Sequence, residues 1–338
     1  MKSFDVVIVG AGPGGIKCAE ILTKAKKSVL LLEKNKEVGS KVCAGGLTRK
    51  DVEYFNPPEN ILEFKYTEAW LNTPLQRIKG VASRPILFTI DRKQFGQWQL
   101  KSAGVTATTN SAVTEIGKDY IIVNSKEKIK FKFLVGADGS ASIVRRHLGL
   151  KTEKYCLGLH YIVKNNKYNK IESYFDSKLF KNGYAWIFPH KGYASIGCGA
   201  MPSSLDANKL RTNFDKWIKK QNIDVSNAKL EAFPINFDYR GHKFNNIFLV
   251  GDAAGLASNA TGEGIYQAAI SGEEVAKQIL NPDYDAPEIK KILETKKLQE
   301  KISLFILKSG FLRPLVYELL AFAFRFNFML RIAKNVFA

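Results

Sequence analysis

Cysteine and histidine are scarce in this chain, and neither occurs at the spacing that a zinc site or a disulfide framework would need. The cysteines form no CxxC pair; they are Cys18, Cys43, Cys156 and Cys198. The histidines share no ligand spacing; they are His147, His160, His190 and His242. No cleavable secretory segment precedes the first predicted strand. We therefore expect no metal, a reducing compartment and a cytoplasmic location, with peripheral contact to the cytoplasmic membrane face left open.

Long apolar runs are also missing, since no stretch reaches the roughly 18 to 20 uncharged apolar residues of a membrane-spanning helix. The charge is one-sided: Lys+Arg 51 against Asp+Glu 32 gives a formal net charge of +19. Such an excess favours anionic partners such as phosphates or acidic lipid surfaces, and the alternative is that it only keeps the protein soluble. Because the lysines are scattered, without a run that interleaves aromatics, we expect no nucleic-acid partner.

The N-terminus has the pattern of a nucleotide-binding turn. Residues 4–9 read FDVVIV, a β-branched run typical of a buried parallel strand, and a glycine-rich segment and a helical pattern to about residue 26 follow. Such glycines allow a tight turn, close approach to a pyrophosphate and close helix packing, while the helix N-terminus supplies N–H groups. The glycines assigned to this cradle are Gly10, Gly12, Gly14 and Gly15.

An acidic residue follows at the position expected of a ribose-binding site. The second predicted strand, SVLLLE, ends at Glu33, about 20 residues beyond the glycines. A carboxylate there accepts hydrogen bonds from the ribose hydroxyls of an adenosine, which suits FAD or NAD and disfavours NADP. Glycine spacing alone does not separate FAD from NAD.

Two later segments decide between these cofactors by resemblance. Residues 133–140 read FLVGADGS and contain Asp138, and residues 247–255 read IFLVGDAAG and contain Gly251 and Asp252. Either segment alone is a common turn at a strand end. Together with the first motif, they resemble the three fingerprints of the para-hydroxybenzoate hydroxylase-like flavoproteins. The resemblance implies FAD, with Asp252 on the ribityl chain and Asp138 supporting the cofactor-side fold.

Within that superfamily, residues 41–46, KVCAGG, and residues 184–189, YAWIFP, resemble the signatures of geranylgeranyl reductases, including the archaeal digeranylgeranylglycerophospholipid reductases. The resemblance covers residues 1 to about 280. It implies an enzyme that reduces isoprenoid double bonds, and it places a set of residues on FAD. That set is Gly14, Glu33, Cys43, Ala44, Gly46, Arg92, Ala112, Asp252, Gly264 and Ile265.

Reducing an isolated alkene requires a hydride on one carbon and a proton on the other, with cationic character between the two events. Tyr184, Trp186 and Phe188 alternate on a predicted strand at an edge of the second domain, so one face presents aromatic rings to an isoprenoid chain. A strand buried for packing is the alternative. The resemblance places Cys43 against the flavin, as a candidate proton relay or redox sensor. The catalytic candidates are therefore Cys43, Tyr184 and Trp186.

We predict an α/β fold with a Rossmann-like FAD-binding domain, a smaller antiparallel-sheet substrate domain and a helical C-terminal cap. Residues 1–150 form the first part of the FAD-binding domain, and an insertion near 60–90 joins the substrate domain. The substrate domain spans 151–236, and the FAD-binding domain resumes over 237–283. Residues 284–338 form the C-terminal helical segment.

The last 37 residues are dense in Leu, Phe and Ile and are interrupted by basic side chains. This composition suits helices in a membrane interface, and a helical cap packed on the flavin domain is the alternative. The basic residues are Lys308, Arg313, Arg325, Arg331 and Lys334.

The leading expectation is an FAD-dependent reductase that saturates geranylgeranyl-type chains in a membrane lipid or a prenylated metabolite. A flavin monooxygenase or halogenase is the alternative, although Tyr184 and Phe188 replace the first Trp and the Ile of the Trp-x-Trp-x-Ile-Pro segment that halogenases carry. A non-catalytic flavin-binding protein is a third class. No second GxGxxG marks an NAD(P)H domain, so the electron donor stays open between ferredoxin, NAD(P)H and a reduced quinone.

Overall fold

The computed structural model describes residues 1–164 and 167–325. Arg331 and Lys334 therefore lie outside the described residues. The strands are β1 (Lys2–Val9), β2 (Val29–Leu32), β3 (Gly46–Thr48), β4 (Phe64–Tyr66), β5 (Glu68–Asn72), β6 (Arg77–Val81), β7 (Leu87–Thr89), β8 (Val113–Ile116), β9 (Tyr120–Val123), β10 (Glu127–Gly136), β11 (Tyr155–Val163), β12 (Glu172–Tyr174), β13 (Tyr184–His190), β14 (Tyr193–Ala200), β15 (Lys229–Asn236), β16 (Lys243–Phe244) and β17 (Ile247–Leu249). The α-helices are α1 (Pro13–Lys24), α2 (Arg49–Phe55), α3 (Arg92–Ser102), α4 (Ile143–His147), α5 (Ser177–Phe180), α6 (Ala207–Lys220), α7 (Gly251–Ala254), α8 (Ile265–Leu280), α9 (Pro287–Lys308) and α10 (Arg313–Ala323).

The first sheet has the Rossmann-like architecture that the glycine-rich motif predicts. Strands β2, β1, β10 and β17 lie side by side and parallel, and β16 adds an antiparallel edge. The buried end of β1, from Val6 to Val9, is apolar on both faces, as a parallel strand covered by helices on both sides must be. The carboxyl ends of these strands meet at one edge, where ligands of open α/β sheets bind.

Two helices cross closely over this sheet and bring distant glycines together. A Cβ atom on Gly272 of α8 would stand 2.1 Å from the carbonyl O of Gly14 on α1, so neither backbone tolerates a larger residue without moving. The predicted N-terminal helix is confirmed, although it begins at Pro13 rather than Gly14 and ends at Lys24. Proline suits this first position because the N–H it lacks has no partner inside a helix.

The second sheet has the order β15, β11, β14, β13, β12, β5, β6, and its pairs are antiparallel except that of β12 with β5. The sequence predicts the aromatic strand β13 at an edge, and this prediction is wrong. It lies between β14 and β12, because β5 and β6 extend the sheet beyond β12. Helix α6 covers one face with Phe214 and Trp217. Since β5 and β6 belong to this sheet, we propose the same four-part division of the chain.

A three-stranded sheet of β3, β7 and β4 supports the segment before residue 46. Its core holds Leu47, Phe88 and Ile90, with Phe95 from α3 packed beneath. Strand β17 stops at Leu249, and Asp252 lies in the first turn of α7.

The C-terminal helices have one packed part and one exposed part. Ile289, Ile292, Lys296 and Gln299 on the first half of α9 are buried. Further along, Tyr317 and Ala321 on α10 are buried, but many apolar side chains are exposed; the exposed set includes Leu304, Phe305, Phe311, Leu312, Leu315 and Leu319. None of the helices within residues 1–164 and 167–325 is both long enough and apolar enough to cross a bilayer.

Candidate active site

A cavity of about 1480 Å³ opens where the carboxyl ends of the Rossmann-like strands face the second sheet. We call its two walls the cofactor side and the aromatic side. The cofactor side comprises Val9–Gly14, Leu32–Asn35, Gly39–Ala44, Arg92, Ser111–Val113, Ala137–Ala141, Val250–Asp252 and Gly262–Ile265. The aromatic side includes Ala69–Leu71, Phe175, Tyr184, Trp186, Phe188, Ile302, Phe305, Ile306, Tyr317, Leu320 and Phe324.

The first turn of α1 forms an open concave wall on the cofactor side. Gly10 has φ +104°, and a Cβ atom there would stand 2.4 Å from the carbonyl O of Ala137, so the turn requires glycine. At Gly12, by contrast, a Cβ atom would have no described atom within 4 Å apart from those of its chain neighbours and its own helix backbone. This free space next to the N–H groups of a helix N-terminus fits a phosphate group.

Glu33 closes this wall from β2. Its Oε2 accepts a hydrogen bond from the N–H of Ala11 at 3.1 Å, and its Oε1 accepts one from the N–H of Asn35 at 2.9 Å. The carboxylate thus joins the glycine-rich turn to the end of β2 and still lines the cavity. Its remaining lone pairs can accept hydrogen bonds from ribose hydroxyls.

Arg92, the first residue of α3, lines the cavity and carries an unsatisfied donor. Among the described residues its Nη1 is buried without a hydrogen-bond partner. Burial also lowers the pKa of Arg92 from its ordinary value. A bound anion would offset both costs, since a buried guanidinium needs a charged acceptor.

Asp252 and Asp138 supply the acidic groups of the cofactor side. Asp252 Oδ2 accepts from Lys41 Nζ at 2.9 Å and from Ser140 Oγ at 3.1 Å. Asp138 Oδ2 accepts from the N–H of Ile143 at 2.7 Å and so holds the start of α4. Burial raises the pKa of Asp138 from its ordinary value.

These features together fit FAD. The open space at Gly12, the unsatisfied guanidinium of Arg92 and the carboxylates of Glu33 and Asp252 match a pyrophosphate and two sets of hydroxyl groups. When bound and reduced, FAD would supply a hydride, which carries the two electrons of the reduction.

Cys43, Ala44 and Gly46 reach the same cavity from the segment before β3. The carbonyl O of Ala44 lies 3.0 Å from Nε2 of His190, whose Nδ1 hydrogen-bonds the carboxylate of Glu63. Cys43 Sγ accepts a hydrogen bond from the N–H of Gly45 at 3.4 Å. The histidine therefore holds the segment that presents the thiol.

Three rings on β13 form the centre of the aromatic side. The ring centroids of Tyr184 and Trp186 are 6.1 Å apart, and those of Trp186 and Phe188 are 6.5 Å apart, so the rings share one face of the strand. Tyr184 Oη donates to the carbonyl O of Thr261 at 2.7 Å, and Trp186 Nε1 donates to Ser195 Oγ at 3.2 Å. Hydrogen bonds thus hold both polar ring atoms while the ring faces line the cavity.

The structure brings nearly all of the predicted site residues to this cavity. Ala112, Gly251, Gly264 and Ile265 line the cofactor side with those described above. Within the described ranges Gly15 does not line the cavity, so its assignment to the cofactor stays a prediction. A Cβ atom on Gly15 would stand 2.0 Å from the carbonyl O of Gly10, which shows that Gly15 serves the packing of helix on turn.

Sequence reasoning missed three residues of the site. Lys41 is 211 positions from its partner Asp252, and His190 is 146 positions from Ala44, so no local spacing connects them. Glu263 also lines the cavity, and its sequence signal was its place between the glycines of TGEGI.

The comparisons with known proteins agree with this geometry. Residues 4–173 match the family described as pyridine nucleotide-disulphide oxidoreductase, and residues 101–280 match the FAD binding domain. A digeranylgeranylglycerophospholipid reductase of Methanococcus vannielii is 30% identical over 320 residues, covering 84% of this chain and 79% of that protein. The chain belongs to the geranylgeranyl reductase family.

Other relatives are consistent with membership of the geranylgeranyl reductase family. A geranylgeranyl diphosphate reductase of Rhodobacter capsulatus is 27% identical, covering 81% of this chain and 74% of that protein. The crystal structure of a geranylgeranyl bacteriochlorophyll reductase-like protein from Thermoplasma acidophilum has the same fold, with a TM-score of 0.74 at 20% identity and coverage of 99% and 100% of the two chains. This geranylgeranyl reductase family member is accordingly an FAD-dependent oxidoreductase, and the predicted α/β fold class is confirmed.

Proposed function

We propose that this protein saturates double bonds of geranylgeranyl-type chains in a membrane lipid or a prenylated metabolite. The observation that carries the proposal is the continuity of one cavity, whose cofactor side fits FAD and whose other side is built from aromatic and aliphatic side chains. When an isoprenoid chain binds against such a wall, each Å² of apolar surface that it buries stabilises the complex by about 25 cal/mol. The curated relatives from Methanococcus and Rhodobacter are named for geranylgeranyl substrates.

Each wall has a separate task in this proposal. Arg92 and Asp252 bind the cofactor, and Tyr184 and Trp186 face the alkene. Aromatic faces stabilise positive charge, which develops on the alkene carbons between proton and hydride addition. Ile302 and Ile306 of α9 and Leu320 of α10 line the same space with apolar side chains.

The test is product analysis under anaerobic conditions. Enzyme reduced with excess dithionite is given geranylgeranylated phospholipid, and we expect lipid that is heavier by two hydrogens for each reduced alkene. Because dithionite supplies the electrons, the outcome does not depend on whether ferredoxin, NAD(P)H or a reduced quinone is the natural donor. Unchanged lipid, together with a hydroxylated or halogenated aromatic product in air, would favour the monooxygenase or halogenase instead.

We also propose that the exposed part of α9 and α10 contacts an acidic lipid surface. Lys297, Lys301 and Lys308 are exposed and follow one another at helical spacing along α9, and Leu304 and Phe305 share that stripe. Arg313, which the sequence analysis counted among the headgroup cations, instead donates to the carbonyl O atoms of Ile306 and Leu307 at the end of α9. The lysines therefore carry the electrostatic part of this proposal.

Vesicle sedimentation tests this contact. Phe311 is 90% exposed, so Phe311→Ser is expected to weaken binding to phosphatidylserine vesicles by up to about 2 kcal/mol, the scale for burying a large apolar side chain. Val81→Ser on β6 is the matched control, because Val81 is also exposed but lies on the second sheet. Equal binding of both variants and wild type would contradict the proposed surface.

A further inference from the structure

Glu263 lies where the two walls of the cavity meet. Two residues earlier, the carbonyl O of Thr261 accepts the hydrogen bond from Tyr184 Oη at 2.7 Å. One residue later, a Cβ atom on Gly264 would stand 3.0 Å from Asp252 Oδ1. Glu263 also lines the cavity itself. The chain at Glu263 therefore runs between a ring assigned to the alkene and a carboxylate assigned to the cofactor.

The loop around Glu263 is stabilised through the main chain of this residue. Its N–H donates to Thr261 Oγ1 at 3.3 Å, and its carbonyl O accepts from the N–H of Ser258 at 2.8 Å. Helix α8 begins two residues later with Gly264 as N-cap and, within the described chain, without a side-chain cap. The Glu263 carboxyl is thus not needed to start the helix.

The surroundings of Glu263 favour a neutral carboxyl. Burial raises the pKa of Glu263 to about 8, and the negative charge of Asp51 on α2 adds to the effect. Lys50, also on α2, and a hydrogen bond from the Thr261 hydroxyl oppose it. From β13, Tyr184 faces the same space, and burial raises the pKa of its phenol, so it is neutral as well.

Asp51 is the acid that faces Glu263 from α2. It is 4% exposed, and its Oδ2 accepts hydrogen bonds from both the N–H and the hydroxyl of Thr48, at 2.8 and 2.7 Å. Asp51 lines the cavity. Its Oδ1 is buried and has no hydrogen-bond partner in the described part of the chain. Two carboxyls in one apolar space cannot both ionise readily. Burial raises the pKa of Asp51 as well, but the two hydrogen bonds from Thr48 stabilise its charged form, so we place the proton on Glu263.

We propose that the carboxyl of Glu263 is the catalytic acid that protonates the isoprenoid double bond. The inference rests on the proposed reductase function. In the balanced step the C=C π bond breaks, the proton of the Glu263 carboxyl forms a C–H bond at one carbon, and a hydride from reduced flavin forms the C–H bond at the other. The flavin is oxidised by two electrons, the lipid gains two hydrogens, and the Glu263 carboxylate regains its proton from solvent.

The test compares wild type with Glu263→Gln, which keeps the size of the side chain but cannot donate an acidic proton. Each protein is loaded with FAD, reduced anaerobically and mixed with geranylgeranylated phospholipid. We expect Glu263→Gln to reoxidise its flavin at least 100-fold more slowly, the lower end for loss of a general acid. Glu53→Gln, an exposed residue on α2, is the matched control and keeps the wild-type rate. The wild-type rate falls as pH rises through about 8, and Glu263→Gln loses this dependence.

A second readout needs no turnover. Infrared spectra of the oxidised holoprotein are expected to show the carbonyl stretch of a protonated carboxyl that titrates near pH 8 in wild type and is missing from Glu263→Gln. If Glu263→Gln binds no FAD, Glu263→Asp takes its place because it keeps a carboxyl. We expect Glu263→Asp to reoxidise its flavin more slowly but with the same kind of pH dependence. A Glu263→Asp rate without pH dependence would overturn the proposal.

The two proposals fail in different ways. Wild-type flavin that no geranylgeranyl lipid reoxidises would overturn the reductase function, while the infrared titration would still report the protonation of Glu263. An active wild type whose rate and pH profile are matched by Glu263→Gln would overturn only the role of Glu263. If Cys43→Ala loses the pH dependence while Glu263→Gln retains it, the proton donor is the Cys43 thiol and not Glu263.

Discussion

Replacing Glu33 by alanine should lower both the stability of the apoprotein and its affinity for FAD. The carboxylate accepts hydrogen bonds from the N–H groups of Ala11 and Asn35. Ala11 is 2% exposed, whereas Asn35 is partly exposed, so water can replace only the second acceptor. A hydrogen bond to a charged group contributes about 1.5 to 3 kcal/mol. We therefore expect the free energy of unfolding of the apoprotein to fall by about 2 to 3 kcal/mol.

The cofactor adds a second, separable effect of the same substitution. Loss of the acceptor for the ribose hydroxyls should weaken FAD binding by about 1 to 3 kcal/mol, which corresponds to a roughly 5- to 150-fold higher Kd. Urea unfolding measures the first effect, and quenching of flavin fluorescence during titration measures the second. Glu33→Gln is the matched control, since its amide oxygen keeps one neutral acceptor and should lose about half as much in each assay. A destabilised Glu33→Ala apoprotein with unchanged FAD affinity would refute the role in cofactor binding.

Three further predictions concern Asp252, Trp186 and Lys296. Asp252→Ala should be purified nearly colourless while keeping its far-ultraviolet circular dichroism, and retained flavin absorbance would contradict the cofactor assignment. Trp186→Ala should slow flavin reoxidation by geranylgeranyl lipid at least 10-fold and leave the Kd of FAD within about twofold, whereas equal losses in both would place Trp186 on the cofactor. Lys296, whose pKa burial lowers to about 8 from 10.5, binds its proton less tightly in the folded than in the unfolded chain. The free energy of unfolding of wild type relative to Lys296→Met should therefore rise by up to about 3 kcal/mol between pH 8 and 10.5, and a flat difference would contradict this pKa.

Local patterns predicted the cofactor side of the site well. The buried run of β1, the glycine turn and Glu33 are close in sequence, and each has one physical reason to be where it is. Sequence spacing could not separate two roles of Gly15, because the same motif serves both the phosphate and the packing of the helix. The backbone distance to Gly10 favours the packing role.

Features that depend on distant segments were beyond local reasoning. The strand β13 carries an edge-like pattern, with Pro189 near its end, yet β5 and β6 from far upstream place it inside the sheet. The pairing of Lys41 with Asp252 has a similar origin, since it joins the segment before β3 to the start of α7. The raised pKa of Glu263 comes first from burial and then from the charge of Asp51 on α2, a residue distant in the sequence.

We propose that this flavoprotein transfers electrons from its bound flavin to an isoprenoid double bond. The most direct measurement is an anaerobic single turnover, in which enzyme-bound FAD is reduced, excess reductant is removed and geranylgeranylated phospholipid is added. We predict that the absorbance of oxidised flavin returns, with one double bond saturated for each flavin reoxidised. The reductase function would be contradicted if the flavin stayed reduced with geranylgeranyl phospholipids, diphosphates and prenylquinones but was reoxidised by oxygen with hydroxylation of an aromatic substrate.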